Sequence, residues 1–194
     1  MPETAQSMAL DIPTLIVVSL FVTTILGLLL IFAWIQDPSI QALAWWGAAY
    51  LLGGSSAALL GMQDASFNPV PVDIASALLF VACGISWSGA RMFDGRPLRP
   101  FAMIAGAVIW LLACQIPGFS SSSTGRIVVA ALIISNYTLF TAYELWSGRA
   151  ERLFSRWPAV IVLTLHGVVF PSQIPLTMVP DRPLTLSGGW VAIA

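Results

Sequence analysis

The chain has 194 residues, of which 58% are hydrophobic and only 9% charged, with a formal net charge of −1. A water-soluble domain carries about 25% charged residues. This chain has too little polar surface to cover a globule, so an all-α integral membrane protein is predicted, with the lipid bilayer as its first partner. The net charge itself says nothing about nucleic acid, but there is no basic field to hold a phosphate backbone, so no nucleic-acid partner is expected.

Residues 1–11 hold no basic residue and so lack the positive start of a signal peptide. They read as a short periplasmic N-terminus. An uncharged run from Ile12 to Trp34 is long enough for a hydrocarbon core of about 30 Å, with Asp11 as its N-cap and Pro13 in its first turn. Pro38 ends that run, and a second covers about Ile40 to Met62. In it Ala49, Gly53, Ala57 and Gly61 recur every four residues and form a nearly bare face for close helix packing. A third run covers Val72 to Phe93, with Arg91 near its end and able to snorkel to headgroups. A fourth runs from Phe101 to about Ile116 and stops at Pro117-Gly118. After the polar loop Ser120 to Thr124, a fifth runs from about Arg126 to Trp146. A sixth begins after Pro158 and reaches about Met178, with Pro171 and Pro175 bending or breaking its second half. Residues 12–178 thus make a six-helix transmembrane domain. Residues 179–194 read as a periplasmic loop followed by the start of a seventh helix, too short to cross and therefore truncated.

Six of the eight basic residues fall in two short turns: Arg91, Arg96 and Arg99 in one, Arg149, Arg152 and Arg156 in the other. Short Arg-rich turns stay in the cytoplasm. Together they set the topology, a multi-pass membrane protein with its N-terminus on the non-cytoplasmic side. The first turn, Gln36 to Ser39, should also be cytoplasmic but carries no Arg.

Polar groups within the apolar runs are few. Tyr137, Thr141 and Glu144 share one face of the fifth helix, and His166 and Gln173 one face of the sixth. Facing stripes could line a pocket for a small ligand. His166 reads first as a neutral interhelical hydrogen-bonding group, with anion binding or pH sensing as the sharper alternative. Glu144 stands close enough to Arg149 to pair with it near the interface. Cys83 and Cys114 read as buried free thiols. No residue is assigned to catalysis, to a cofactor or to a metal.

Three segments carry a resemblance: QALAWWGAAYLLGG (Gln41 to Gly54), SGARMFDGRPLRP (Ser88 to Pro100) and YELWSGRAERLFSRWP (Tyr143 to Pro158). Together they are similar to the N-terminal membrane sensor region of alphaproteobacterial diguanylate cyclases with a GGDEF output domain. The resemblance spans about Ile12 to Met178. It implies a membrane input module of a cyclic di-GMP signalling protein, working as a homodimer, with a cytoplasmic catalytic domain following it. This chain carries no GGDEF signature, so no cyclase residue is transferred to it and the enzyme would be the parent protein. Two other readings stay open: a small polytopic transporter or channel, and a structural membrane subunit of a larger complex.

Overall fold

Proline, glycine and serine punctuation cuts the apolar runs into helices close to the expected boundaries. The computed structural model describes residues 12–62, 70–148 and 156–172, and every regular element among them is an α-helix. α1 spans Ile12–Gln36, α2 Gln41–Gly61, α3 Val72–Phe93, α4 Pro100–Cys114, α5 Ser123–Ser147 and α6 Arg156–Ser172. Val17–Gln36 within α1, together with α2, α3 and α5, makes four helices long and apolar enough to cross a membrane. The remainder of the sixth run, including Gln173, and the expected seventh helix lie outside the described residues.

The ends of α1 and α4 shift by two residues, to Gln36 and Cys114, and two helix starts shift by three, each for a local reason. α5 starts three residues early because Ser122 caps it: the hydroxyl accepts the Gly125 N–H at 3.1 Å, so Ser123 and Thr124 of the serine loop belong to the helix. α6 starts at Arg156 rather than after Pro158. Pro158 occupies the first turn, where a missing N–H breaks no helical hydrogen bond.

α3 is the centre of the bundle. It packs on α2, α4 and α5, while α1 leans on α2 and α6 on α5. Its core residues include Phe80 and Trp87, set against Trp110 of α4 and Tyr137 of α5. Phe80 meets Trp110 edge-on with ring centroids 5.2 Å apart. α2 runs antiparallel to α3. Trp46 Nε1 donates to the Ser86 carbonyl at 3.1 Å near one end, and Ser56 Oγ to the Ala75 carbonyl at 2.7 Å near the other.

Glycine marks the closest approaches. A Cβ at Gly47 would lie 2.9 Å from the Gly27 carbonyl oxygen, so α1 and α2 touch backbone to backbone. The outer faces remain apolar: Val17, Phe21, Leu28, Phe32 and Ile35 of α1 are all exposed. Such a surface is unsuited to water and suited to lipid.

Of the bare face expected on α2, Ala49 is buried, and Gly53 comes within ordinary contact of Ala82 on α3. Ala57 is half-buried and Gly61 exposed.

Candidate functional site

The charged residues of α3 and α5 form two clamps, one at each end of the pair. At the Arg-rich end, Arg91 Nη1 donates to Glu144 Oε1 at 2.6 Å, and Arg96 Nη1 to Glu144 Oε2 at 2.6 Å. Arg96 Nη2 also reaches Ser147 Oγ at 2.9 Å, and Arg91 Nε the Pro97 carbonyl at 3.2 Å. Arg91 is 6% exposed and Glu144 5%, so this is a buried triad of two cations on one carboxylate. The Arg91 guanidinium also lies 5.3 Å from the Trp87 ring centroid. At the opposite end, Arg126 Nη2 donates to Asp73 Oδ1 at 2.6 Å. Trp110 supports that pair twice: its Nε1 donates to the Asp73 carbonyl at 3.2 Å, and Arg126 stands 5.4 Å from its ring centroid.

Helix ends deliver these groups. α3 closes in a Schellman turn, with Arg96 N bonded to the Arg91 carbonyl, Gly95 N to the Met92 carbonyl, and Gly95 at φ 68°. This left-handed turn favours glycine. It sends the chain back over the end of α3 and so carries Arg96 to Glu144. Asp94, in the same turn, pairs with Arg156 at the start of α6 at 3.0 Å. Arg156 also donates to the Gly148 carbonyl and lies 4.9 Å from the Phe93 ring centroid.

The two clamps obey one spacing. Asp73 and Arg91 are eighteen residues apart on α3, and so are Arg126 and Glu144 on α5. Eighteen residues make about five helical turns, which returns both charges to one face roughly 27 Å apart. The signs are opposite on the two helices, which fixes them parallel and in register. On α5 both charges oppose the helix dipole, a cation in the first turn and an anion in the last. Pairing with α3 outweighs that local preference. This equal spacing is the signal in the sequence that finds the clamps.

Three expectations are corrected here. Arg91 does not snorkel; it is held inward by Glu144. Glu144 takes Arg91 and Arg96 rather than Arg149, which with Arg152 lies outside the described residues. Of the expected facing stripes, His166 does not meet the α5 face, and Gln173 lies outside the described residues. Tyr137 and Thr141 are buried on α5, whereas His166 is exposed on α6 with its ring 4.7 Å from Phe170. Gly167 is the α6 residue that meets α5, taking a hydrogen bond on its carbonyl from Ser135 Oγ. Consecutive helical residues point about 100° apart, so His166 is turned away.

Tyr137 is used in packing. Its hydroxyl donates to the Ala102 carbonyl at 2.7 Å and accepts the Gly106 N–H at 3.0 Å, tying α5 to the backbone of α4. Thr141 Oγ1 donates to the Tyr137 carbonyl at 2.7 Å. Tyr137→Phe is expected to lower thermal stability in detergent by about 1–2 kcal/mol. An unchanged unfolding midpoint would show that the hydroxyl does not hold α4.

Among the described residues, no group of three His, Cys, Asp or Glu side chains could hold a metal, and Cys83 and Cys114 are free. The fold and the clamps define, among the described residues, a bundle of α-helices, four of them apolar and of membrane length, with α3 and α5 tied by charge at both ends. Compared with known proteins, the chain matches no family model, no curated protein and no solved structure.

Proposed function

We propose that this chain is the membrane-embedded input module of a bacterial signalling protein of the cyclic di-GMP type, an inner-membrane protein crossing the bilayer several times with its N-terminus in the periplasm. One observation carries the membrane part of this reading. Two charge clamps about 27 Å apart bracket an apolar, outward-exposed belt, and that separation is close to the hydrocarbon thickness of about 30 Å. The resemblance of three segments to cyclase sensor regions supports the signalling part. In this reading Arg91, Arg96, Arg99 and Arg156 stand at the cytoplasmic edge, and a stimulus acts by changing the packing of α5 and α6 on α3. A ligand can shift such packing only through different affinity for two arrangements.

The transporter reading loses support because Tyr137, Thr141 and Glu144 are engaged with neighbouring backbone or side chains, so they do not offer a polar path.

Topology is tested by cysteine labelling in intact cells, with Cys83 and Cys114 replaced by serine. Ser121→Cys should react with a membrane-impermeant maleimide added outside, and Ser39→Cys, exposed on the α1–α2 turn, only after the membrane is opened. The reverse pattern would sink the orientation. The signalling part is tested by the coding DNA after Ala194: an in-frame GGDEF-type domain supports it, and a stop codon there removes its main prop.

A further inference from the structure

The two ends of the bundle are charged differently. At the Asp73–Arg126 end, one cation meets one anion. Among the described residues around the α3–α4 turn, Arg91, Arg96, Arg99 and Arg156 meet two carboxylates, Asp94 and Glu144, an excess of two positive charges. Asp37 adds one negative charge on the separate α1–α2 turn, where its carboxylate is bonded to Ser39 N and Oγ and pairs with none of these arginines. The excess is concentrated at one accessible place. Arg91 is buried, and Arg156 is tied to Asp94. Arg96 is 37% exposed at its side chain but already holds Glu144 and Ser147. Arg99 is exposed, and its guanidinium has no partner among the described residues.

The neighbours of Arg99 say what would meet it. Leu98 is exposed at 39%, and Phe101, in the first turn of α4, at 87%. A free cation is therefore flanked by two exposed apolar side chains on a turn stiffened by Pro97 and Pro100. Water alone suits the cation and penalises the flanks. The boundary between acyl chains and headgroups suits both, since it accepts apolar side chains on one side and offers phosphate oxygens on the other.

We infer that the α3–α4 turn is a docking surface for anionic phospholipid headgroups, with Arg99 as the phosphate-binding residue, Arg96 adding to the field, and Leu98 and Phe101 set among the acyl chains. This inference rests on the membrane reading above and adds a lipid preference to it. Attraction of this kind is worth about fivefold in association for each arginine near the surface. It is screened by salt, because the group is exposed.

The test is electron spin resonance of the full chain reconstituted in phosphatidylcholine vesicles that contain trace spin-labelled phosphatidylglycerol or spin-labelled phosphatidylcholine. The motionally restricted fraction reports lipid at the protein surface. The wild type should restrict the anionic lipid more than the zwitterionic one, and raised salt should narrow the difference. Arg99→Gln should cut the preference about fivefold. It should leave restriction of phosphatidylcholine unchanged, since the Arg99 side chain holds no other part of the fold among the described residues. Equal restriction of both lipids by the wild type, or an unaltered preference in Arg99→Gln, overturns the inference while the membrane reading stands. Absence of any restricted component overturns the membrane reading and this inference with it.

Discussion

Glu144→Gln is expected to destabilise the protein more than loss of any other single charged side chain. Glu144 neutralises Arg91 and Arg96 together, and it is 5% exposed. Removing one partner of a buried ion pair costs about 3–5 kcal/mol, because the remaining charge has neither water nor counter-ion. Here two cations would be left facing one another. A folded domain holds only about 5–15 kcal/mol in reserve. Much of the Glu144→Gln protein should therefore be unfolded or degraded, and thermal or SDS titration of the purified remainder should show a sharply lowered midpoint.

The other members of the triad give an ordered series that tests the reason as well as the effect. Arg91→Gln leaves Arg96 and Glu144 as a neutral pair, so its cost should be smaller. Arg96→Gln should cost least of the three: its side chain is 37% exposed, and water screens what it contributes. Exchanging the charges, Arg91→Glu with Glu144→Arg, keeps the total charge of the triad and should recover part of the loss. That recovery is read as a coupling energy in a double-mutant cycle. Equal effects at Arg91, Arg96 and Glu144, or no recovery on exchange, would mean that the triad does not hold α3 to α5.

The helices were legible because their signals are local. The third run, expected over Val72 to Phe93 and ending in the Arg-rich turn, is observed with those ends. Where a local signal was overlooked, a boundary moved: Ser122 as a cap shifted the start of α5. The partners of charged residues were not legible in the same way. Arg91 meets a residue fifty-three positions away. Its position near a helix end fits snorkelling as well as pairing. Only the matched eighteen-residue spacings on α3 and α5 separate the two, and that comparison requires knowing which helices are neighbours. His166 failed for a related reason. On a helix apolar on most sides, periodicity does not say which face turns inward. The adjacent Gly167 carried that information, because a residue without a side chain marks where another helix can come close.

Glycine also supplies the second large effect. Gly84→Ala should disrupt the bundle although it adds a single methyl group. A Cβ at Gly84 would overlap the Met103 carbonyl oxygen and stand 2.8 Å from its carbon, and both atoms are backbone of α4. No side-chain rotation relieves that contact, so α4 must move away from α3. The displacement then reaches groups that depend on α4: the Tyr137 hydroxyl bonded to Gly106, and Trp110 beneath the Asp73–Arg126 clamp. Overpacking of a well-filled core costs about 1–3 kcal/mol. A backbone clash with those consequences should fall at or above the upper end. Gly53→Ala is the control. Its added Cβ would meet only the Ala82 methyl, at 3.6 Å, an ordinary contact. Alanine also favours the helix by about 1 kcal/mol over glycine, so this variant should unfold no earlier than the wild type. Both substitutions add the same atom to adjoining helices, so composition cannot explain a difference between them. If Gly84→Ala proves as stable as Gly53→Ala, α3 and α4 are not in backbone contact, and the path from α4 to the charged clamp at the far end of α3 is lost.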